Sequence, residues 1–148
     1  MAKFLNNWIF ALVLAALICA GCKQSNSKDV KQMTVAELQT AVKQGNTQAM
    51  VVLGLDYDTG RGLIKDVGEA FEWYQKAAQS GDSWGQLRLG YCYFVGRGVD
   101  QNFPEAVKWF RLAADAGQPN AQVILGEAYV KGLGVEKNNN EAFINGLI

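Results

Sequence analysis

The chain has 148 residues, with 14 Lys plus Arg against 14 Asp plus Glu and no histidine, a length that holds one core and is marginal for two. Charge of both signs is interspersed, which leaves no basic footprint for nucleic acid and no polybasic patch for anionic lipid. Without histidine the usual general base near neutral pH, the common zinc ligand and the Ser-His-Asp and Cys-His nucleophile systems are all missing; lysine, tyrosine and paired-carboxylate chemistry remain to be weighed.

The first element reads as an address. Lys3 precedes an uncharged apolar run over 8–20, followed by Gly21 and Cys22, which is the pattern of a basic n-region, an h-region and a small-residue cleavage site. The run is shorter than the roughly 20 apolar residues of a spanning helix. Cys19-Ala20-Gly21-Cys22 resembles the bacterial lipobox, with Cys19 standing where leucine is usual. The resemblance implies a signal peptide over 1–21, a lipid on Cys22 and, because Lys23 rather than aspartate follows, the periplasmic face of the outer membrane. An uncleaved anchor or an ordinary secretory leader is the other reading of the same residues. Removing 1–21 leaves 127 residues and takes Lys3 with it, so 13 cations face 14 anions. Residues 22–33, dominated by Lys, Gln, Ser, Asn and Asp, read as lipid attachment and flexible tether. With Cys22 acylated and Cys19 removed, Cys92 is the one thiol left, so no intramolecular disulfide forms. Between Tyr91 and Tyr93 in an apolar helix, Cys92 reads as packing rather than as a nucleophile.

The body repeats every 36 residues. Gly54, Gly90 and Gly126 fall in register, as do Tyr57, Tyr93 and Tyr129; Gly60, Gly96 and Gly132; Gly62, Gly98 and Gly134; and Ala70, Ala106 and Ala142. In each copy a first helix precedes the glycine pair; in the third copy Ala121, Leu125, Ala128 and Tyr129 share one face. The glycine inside that helix costs up to roughly 1 kcal/mol against alanine, and its recurrence predicts close helix approach. The following glycine pair predicts a left-handed C-cap and a turn. A second helix starts at Asp66 with Glu69, Asn102 with Glu105 and Asn138 with Glu141, variants of the capping box. Large rings and alanines follow: Phe71, Trp73, Tyr74, Ala77 and Ala78, then Val107, Trp109, Phe110, Ala113 and Ala114.

The runs Leu-Gly-x-x-Tyr-x-x-Gly-x-Gly and Ala-x-x-Trp-[Tyr/Phe]-x-x-Ala-Ala-x-x-Gly resemble the Sel-one-like repeat family, a relative of the tetratricopeptide repeat. The resemblance implies an all-α fold, a right-handed α-solenoid of antiparallel helix pairs with about three repeats, the last incomplete. The repeat domain is placed at 34–148. Its leading helix is 34–44, opened by Thr34 with Glu37, and its repeats are about 49–84, 85–120 and 121–148. The last copy stops after Ala142 with an apolar tail and a helix of roughly two turns, marginal alone; the tail reads either as a docking surface or as a truncation relative to longer relatives.

Other motifs carry less. Gly60-Arg61-Gly62 and Gly96-Arg97-Gly98 lack both a third glycine and a preceding strand, so they read as turns rather than phosphate loops. Asp56 and Asp58 have no counterparts at Cys92 and Phe94 or at Ala128 and Val130, and no EF-hand surrounds them, so they read as solvated helix-face acids. No catalytic residue, metal site or cofactor is expected. The positions that differ between copies are those the scaffold leaves open, and first helices line the concave side of such arrays. On that face Asp56, Arg88, Tyr91, Phe94 and Glu127 are expected to meet a protein partner. The family resemblance implies a periplasm-facing adaptor or scaffold, or more narrowly an immunity protein that occludes a phospholipase-type effector delivered by type VI secretion. The rival from another class is an enzyme, since cysteine-rich relatives are linked to penicillin binding or beta-lactam hydrolysis. Those relatives carry a cysteine pair in each repeat, whereas only Cys92 lies in the repeats here, and no Ser-x-x-Lys nucleophile motif lies within them.

Overall fold

The computed structural model describes residues 29–144, so the leader, Cys22 and residues 145–148 lie outside the description. Among the described residues every regular element is helical. A short 3-10 turn at Val30–Gln32 precedes α1 (Val35–Lys43), α2 (Thr47–Thr59), α3 (Val67–Gln79), α4 (Ser83–Val95), α5 (Phe103–Asp115), α6 (Pro119–Lys131) and α7 (Asn139–Ile144). Each helix packs on the next, so α2 with α3, α4 with α5 and α6 with α7 form three stacked hairpins behind the leading α1. This is the α-solenoid of antiparallel helix pairs that the family resemblance implies.

Local chemistry sets each boundary. Thr34 forms a full capping box, accepting from the Glu37 N–H while its own N–H donates to the Glu37 carboxylate at 2.7 Å. At α3, α5 and α7 only half of that device operates: Asp66, Asn102 and Asn138 accept from the Glu69, Glu105 and Glu141 N–H groups. Their own N–H groups donate instead to the carbonyls of Tyr57, Tyr93 and Tyr129, at 2.9, 2.8 and 3.1 Å. The repeated tyrosine thus ties the start of each second helix to the end of the first. Gly60, Gly96 and Gly132 close α2, α4 and α6 with φ of 79°, 72° and 71°, in the left-handed region that L side chains avoid.

The interior glycines hold the hairpins shut. A Cβ on Gly54 would lie 2.7 Å from the Tyr74 ring, and one on Gly90 would lie 2.8 Å from the Phe110 ring. The second glycine of each turn acts between repeats: a Cβ on Gly62 would meet Val35 of α1, one on Gly98 the Val67 carbonyl of α3, and one on Gly134 the Phe103 backbone of α5.

Aromatic and small side chains fill the space between helices. Phe110, Leu89, Leu53 and Leu38 are the largest fully enclosed side chains, set among Ala49, Ala77, Ala106, Ala113 and Ala121. Phe71 of the first repeat meets Tyr93 of the second edge-on, with ring centroids 5.5 Å apart. Side-chain hydrogen bonds also link the starts of successive first helices. The Thr47 hydroxyl donates to Asp82 at 2.9 Å, and the Gln118 amide donates to the Ser83 hydroxyl at 2.8 Å.

The tether expected over 22–33 ends earlier than the sequence suggests. Val30 and Met33 pack against the cluster of Leu38, Ala41 and Ala49, because apolar side chains beside an uncovered end of the array bury surface there. At the other end α7 is six residues long, close to the two turns expected.

Candidate functional site

The first helices carry one position set in every copy. In α2 it is Gln48, Val51, Val52 and Leu55; in α4 it is Trp84, Leu87, Arg88 and Tyr91. Both quartets follow i, i+3, i+4, i+7, one stripe of a helix. They line two adjoining hollows. The first, about 550 Å³, lies between α2 and α4 beside the 3-10 turn and Lys31; the second, about 370 Å³, lies between α4 and α6, where Asn120, Val123 and Ile124 continue the stripe. Trp84 and Arg88 border both hollows, so the two form one groove with α4 as its central ridge.

The ridge is chemically distinct. Trp84 and Tyr91 are each 46% exposed although the repeat core could absorb rings, and Val123 of the facing helix is 48% exposed. Arg88 is half-buried between the two rings and forms no hydrogen bond or ion pair with another described residue. In the copies on either side the same position is Val52 and Ile124, so the row across the groove reads apolar, cationic, apolar.

Of the residues expected to meet a partner, the structure brings Arg88 and Tyr91 together in this groove. Glu127 occupies the corresponding position to Tyr91 on α6 but is held 3.5 Å from Lys131, one turn on. Asp56 is not a surface anchor. It is 2% exposed and accepts from Arg61 Nε at 2.7 Å, so the reading of a solvated helix-face acid is corrected: a buried carboxylate requires a partner, and the turn arginine supplies it. Asp58 is likewise engaged, by Arg97 Nε at 2.5 Å. Phe94 is partly buried and lies edge-on to Phe103 and Phe110 at 5.3 and 6.1 Å, packed against the apolar core and outside the lining of the groove. Trp84, Val123 and Ile124 complete the groove and were not expected. Their signal was the i−4 spacing of Trp84 from Arg88 and the 36-residue offset of Ile124 from it.

Behind the ridge lies a buried polar set. Burial pushes the Cys92 thiol up to about 12, with the Asp58 carboxylate acting in the same direction, so the cysteine is a packed thiol and no nucleophile. Burial also raises Tyr74, whose hydroxyl has no hydrogen-bond partner. The hydrogen bond from Arg97 to Asp58 holds that guanidinium above its ordinary range. Among the described residues no group of three or more His, Cys, Asp or Glu side chains is placed to hold a metal ion.

The comparisons with known proteins agree with this architecture. Residues 47–82, 85–118 and 119–144 match the Sel1 repeat. No curated protein matches the chain. Among solved structures, a protective antigen of uropathogenic Escherichia coli strains displaying an SLR fold is similar at 42% identity and TM-score 0.71, over 73% of this chain and 23% of that one. A Sel1 repeat protein from Oxalobacter formigenes is similar at 36% identity and TM-score 0.69, over 73% of this chain and 44% of that one. Cysteine-rich protein B of Helicobacter pylori is similar at 33% identity and TM-score 0.59, over 68% of this chain and 76% of that one. The chain therefore spans about a quarter of the first of these and less than half of the second. Matched in three copies over more than half of its length, with the hairpin stacking that those copies require, the chain belongs to the Sel1 repeat family.

Proposed function

We propose that this protein is a non-catalytic, protein-binding scaffold that seats its partner in the groove of α2, α4 and α6, and that Cys22 tethers it by lipid at the periplasmic face of the outer membrane. Sel1 repeat proteins typically act as protein-interaction scaffolds and are generally non-catalytic. The observation that carries the reading for this chain is the exposed ridge of Trp84 and Tyr91 flanking an Arg88 without a partner of its own. Trp, Tyr and Arg are the side chains that anchor protein interfaces, and exposing two rings on one helix face is unfavourable in water unless another surface covers them. The tether reading is supported by the basic, apolar, small-residue order of 1–22.

Photo-crosslinking residues placed at positions 84 and 91 of the full chain in the producing cell are expected to give a discrete protein adduct. The same residue at position 112, where Leu112 lies 43% exposed on a second helix, is expected to give none. Equal adducts from all three positions would remove the groove from the proposal. Labelling with a fatty-acid probe tests the anchor: label lost in Cys22→Ser supports it, and label retained overturns it.

A further inference from the structure

The groove's charge pattern specifies more than a generic partner. Across the three first helices the row Val52, Arg88, Ile124 sets one cation between two aliphatic side chains, and Val51, Leu87 and Val123 form a wholly apolar row beside it. The acids that border the larger hollow are already engaged. Asp29 accepts from the Lys31 N–H, and Asp82 accepts from the Gly85 N–H and the Thr47 hydroxyl. The turn cation Arg61 is occupied by Asp56. Asp29 and Asp82 keep their charge in the larger hollow, whereas Arg88 is the one charged residue that lines the smaller hollow, and it stands between the two. A guanidinium half-withdrawn from water, with Val51, Val52 and Leu55 in the hollow on one side and Leu87, Val123 and Ile124 in the hollow on the other, is matched by a carboxylate with apolar flanks: the ion pair restores the donors' partners, and the flanks cover these aliphatic side chains.

Resting on the scaffold reading above, we propose that the groove takes a segment of a partner protein in which an aspartate or glutamate is flanked on each side by bulky apolar side chains, the carboxylate pairing with Arg88 and the flanks entering the two hollows. A basic segment is disfavoured at this position because its charge would sit against Arg88, and the smaller hollow has no carboxylate in its lining to offset it.

The probe is a displayed random peptide library panned against the full chain and against Arg88→Glu, Trp84→Ala and Tyr91→Ala, each checked for a native melting transition. Against the native chain, enriched peptides are expected to carry Asp or Glu between aromatic or aliphatic residues; against Arg88→Glu the central residue is expected to change to Lys or Arg. For a synthetic peptide of the enriched pattern, Glu→Gln at the centre is expected to weaken binding about tenfold to the native chain, the size of a charge-assisted hydrogen bond, and less than about twofold to Arg88→Gln. An uncharged or basic centre, an acidic preference that survives Arg88→Glu, or no enrichment at all overturns the proposal. The two readings fail separately: binding that persists in both Trp84→Ala and Tyr91→Ala removes the groove itself, whereas binding that needs those rings but ignores the charge at 88 removes only the acidic pattern.

Discussion

Arg97 of the second repeat donates from Nε to Asp58 of the first at 2.5 Å, and its terminal amine also lies 3.4 Å from the Asp58 carbonyl oxygen. One repeat later the corresponding residues are Leu133 and Phe94, both packed against the same apolar cluster. The exchange is concerted, an ion pair at one boundary and an apolar pair at the next, so the two positions behave as a unit.

Replacing the ion pair with its apolar counterpart is therefore expected to be tolerated only as a pair. Asp58→Phe and Arg97→Leu alone should each lower stability by about 1–2 kcal/mol, since each leaves a partly buried charge without its partner. The double variant should return to within about 0.5 kcal/mol of the native chain. Urea unfolding of the four proteins measures this, and strictly additive losses would refute the pairing.

Concerted exchange also explains what the sequence hides. The register, the caps and the glycine turns are legible because each is a local backbone requirement repeated three times, and the Gly90 contact with Phe110 follows from them. Asp56 misleads because a position that differs between copies need not lie open to solvent. Position 56 reads Asp, Cys and Ala in the three copies while the turn residue five places on reads Arg, Arg and Leu: Arg61 holds Asp56, whereas Arg97 reaches back to Asp58 of the preceding copy. A single position compared across copies cannot reveal such compensation, which depends on which side chains meet in space. Trp84 was missed for the opposite reason: its exposure is a tertiary fact, although its spacing from Arg88 and Tyr91 was already visible.

Two glycines with similar φ separate backbone cost from collision. Gly117 has φ of 83° and open space where a Cβ would go, whereas Gly98 has φ of 74° and would drive a Cβ into the Val67 carbonyl oxygen. Gly117→Ala should cost about 1–2 kcal/mol, the penalty of the left-handed region. Gly98→Ala should cost roughly 3 kcal/mol or more, because α3 and the turn must part. Thermal or urea denaturation orders the two, and equal losses would show that Gly98 is not a stacking contact.

Cys92 gives a signature at alkaline pH. Its thiol ionises near 9.0 when ordinary and is pushed up to about 12 in the fold, first by burial and then by Asp58. The unfolded chain therefore loses this proton first, so the stabilisation is fully present below pH 9 and disappears as pH rises towards 12. Unfolding free energy should fall more steeply over that window in the native chain than in Cys92→Ala. Tyr74, raised by burial as well, leaves a smaller slope in the variant. In the same preparation, iodoacetamide at pH 8 should label Cys92 only after denaturation, and rapid labelling of the folded protein would contradict the buried placement.

The start of α6 is the weak point of the cap series. Asn46 and Asp82 cap α2 and α4 by accepting from the N–H groups of Ala49 and Gly85, but Gln118 makes no cap hydrogen bond and relies on Pro119 at the first turn. Its longer side chain instead reaches Ser83, the residue equivalent to the Thr47 that donates to Asp82. An aspartate at 118 has the geometry of Asp82: one oxygen is placed to take over the N–H of residue 121, which now donates to the Gln118 carbonyl at 3.1 Å, and the other to accept from the Ser83 hydroxyl. Gln118→Asp should therefore gain the cap without losing the link between repeats, raising stability by about 0.5–1 kcal/mol. Gln118→Ala should lose the link and gain no cap, with a loss of about 0.5–1 kcal/mol. Denaturation of both variants, with Ser83→Ala as a background, tests the assignment: the gain in Gln118→Asp should shrink in Ser83→Ala only by the share that the hydroxyl contributes. A loss of stability in Gln118→Asp would mean that the α6 terminus is positioned by Pro119 alone and has no room for the cap found in the preceding repeats.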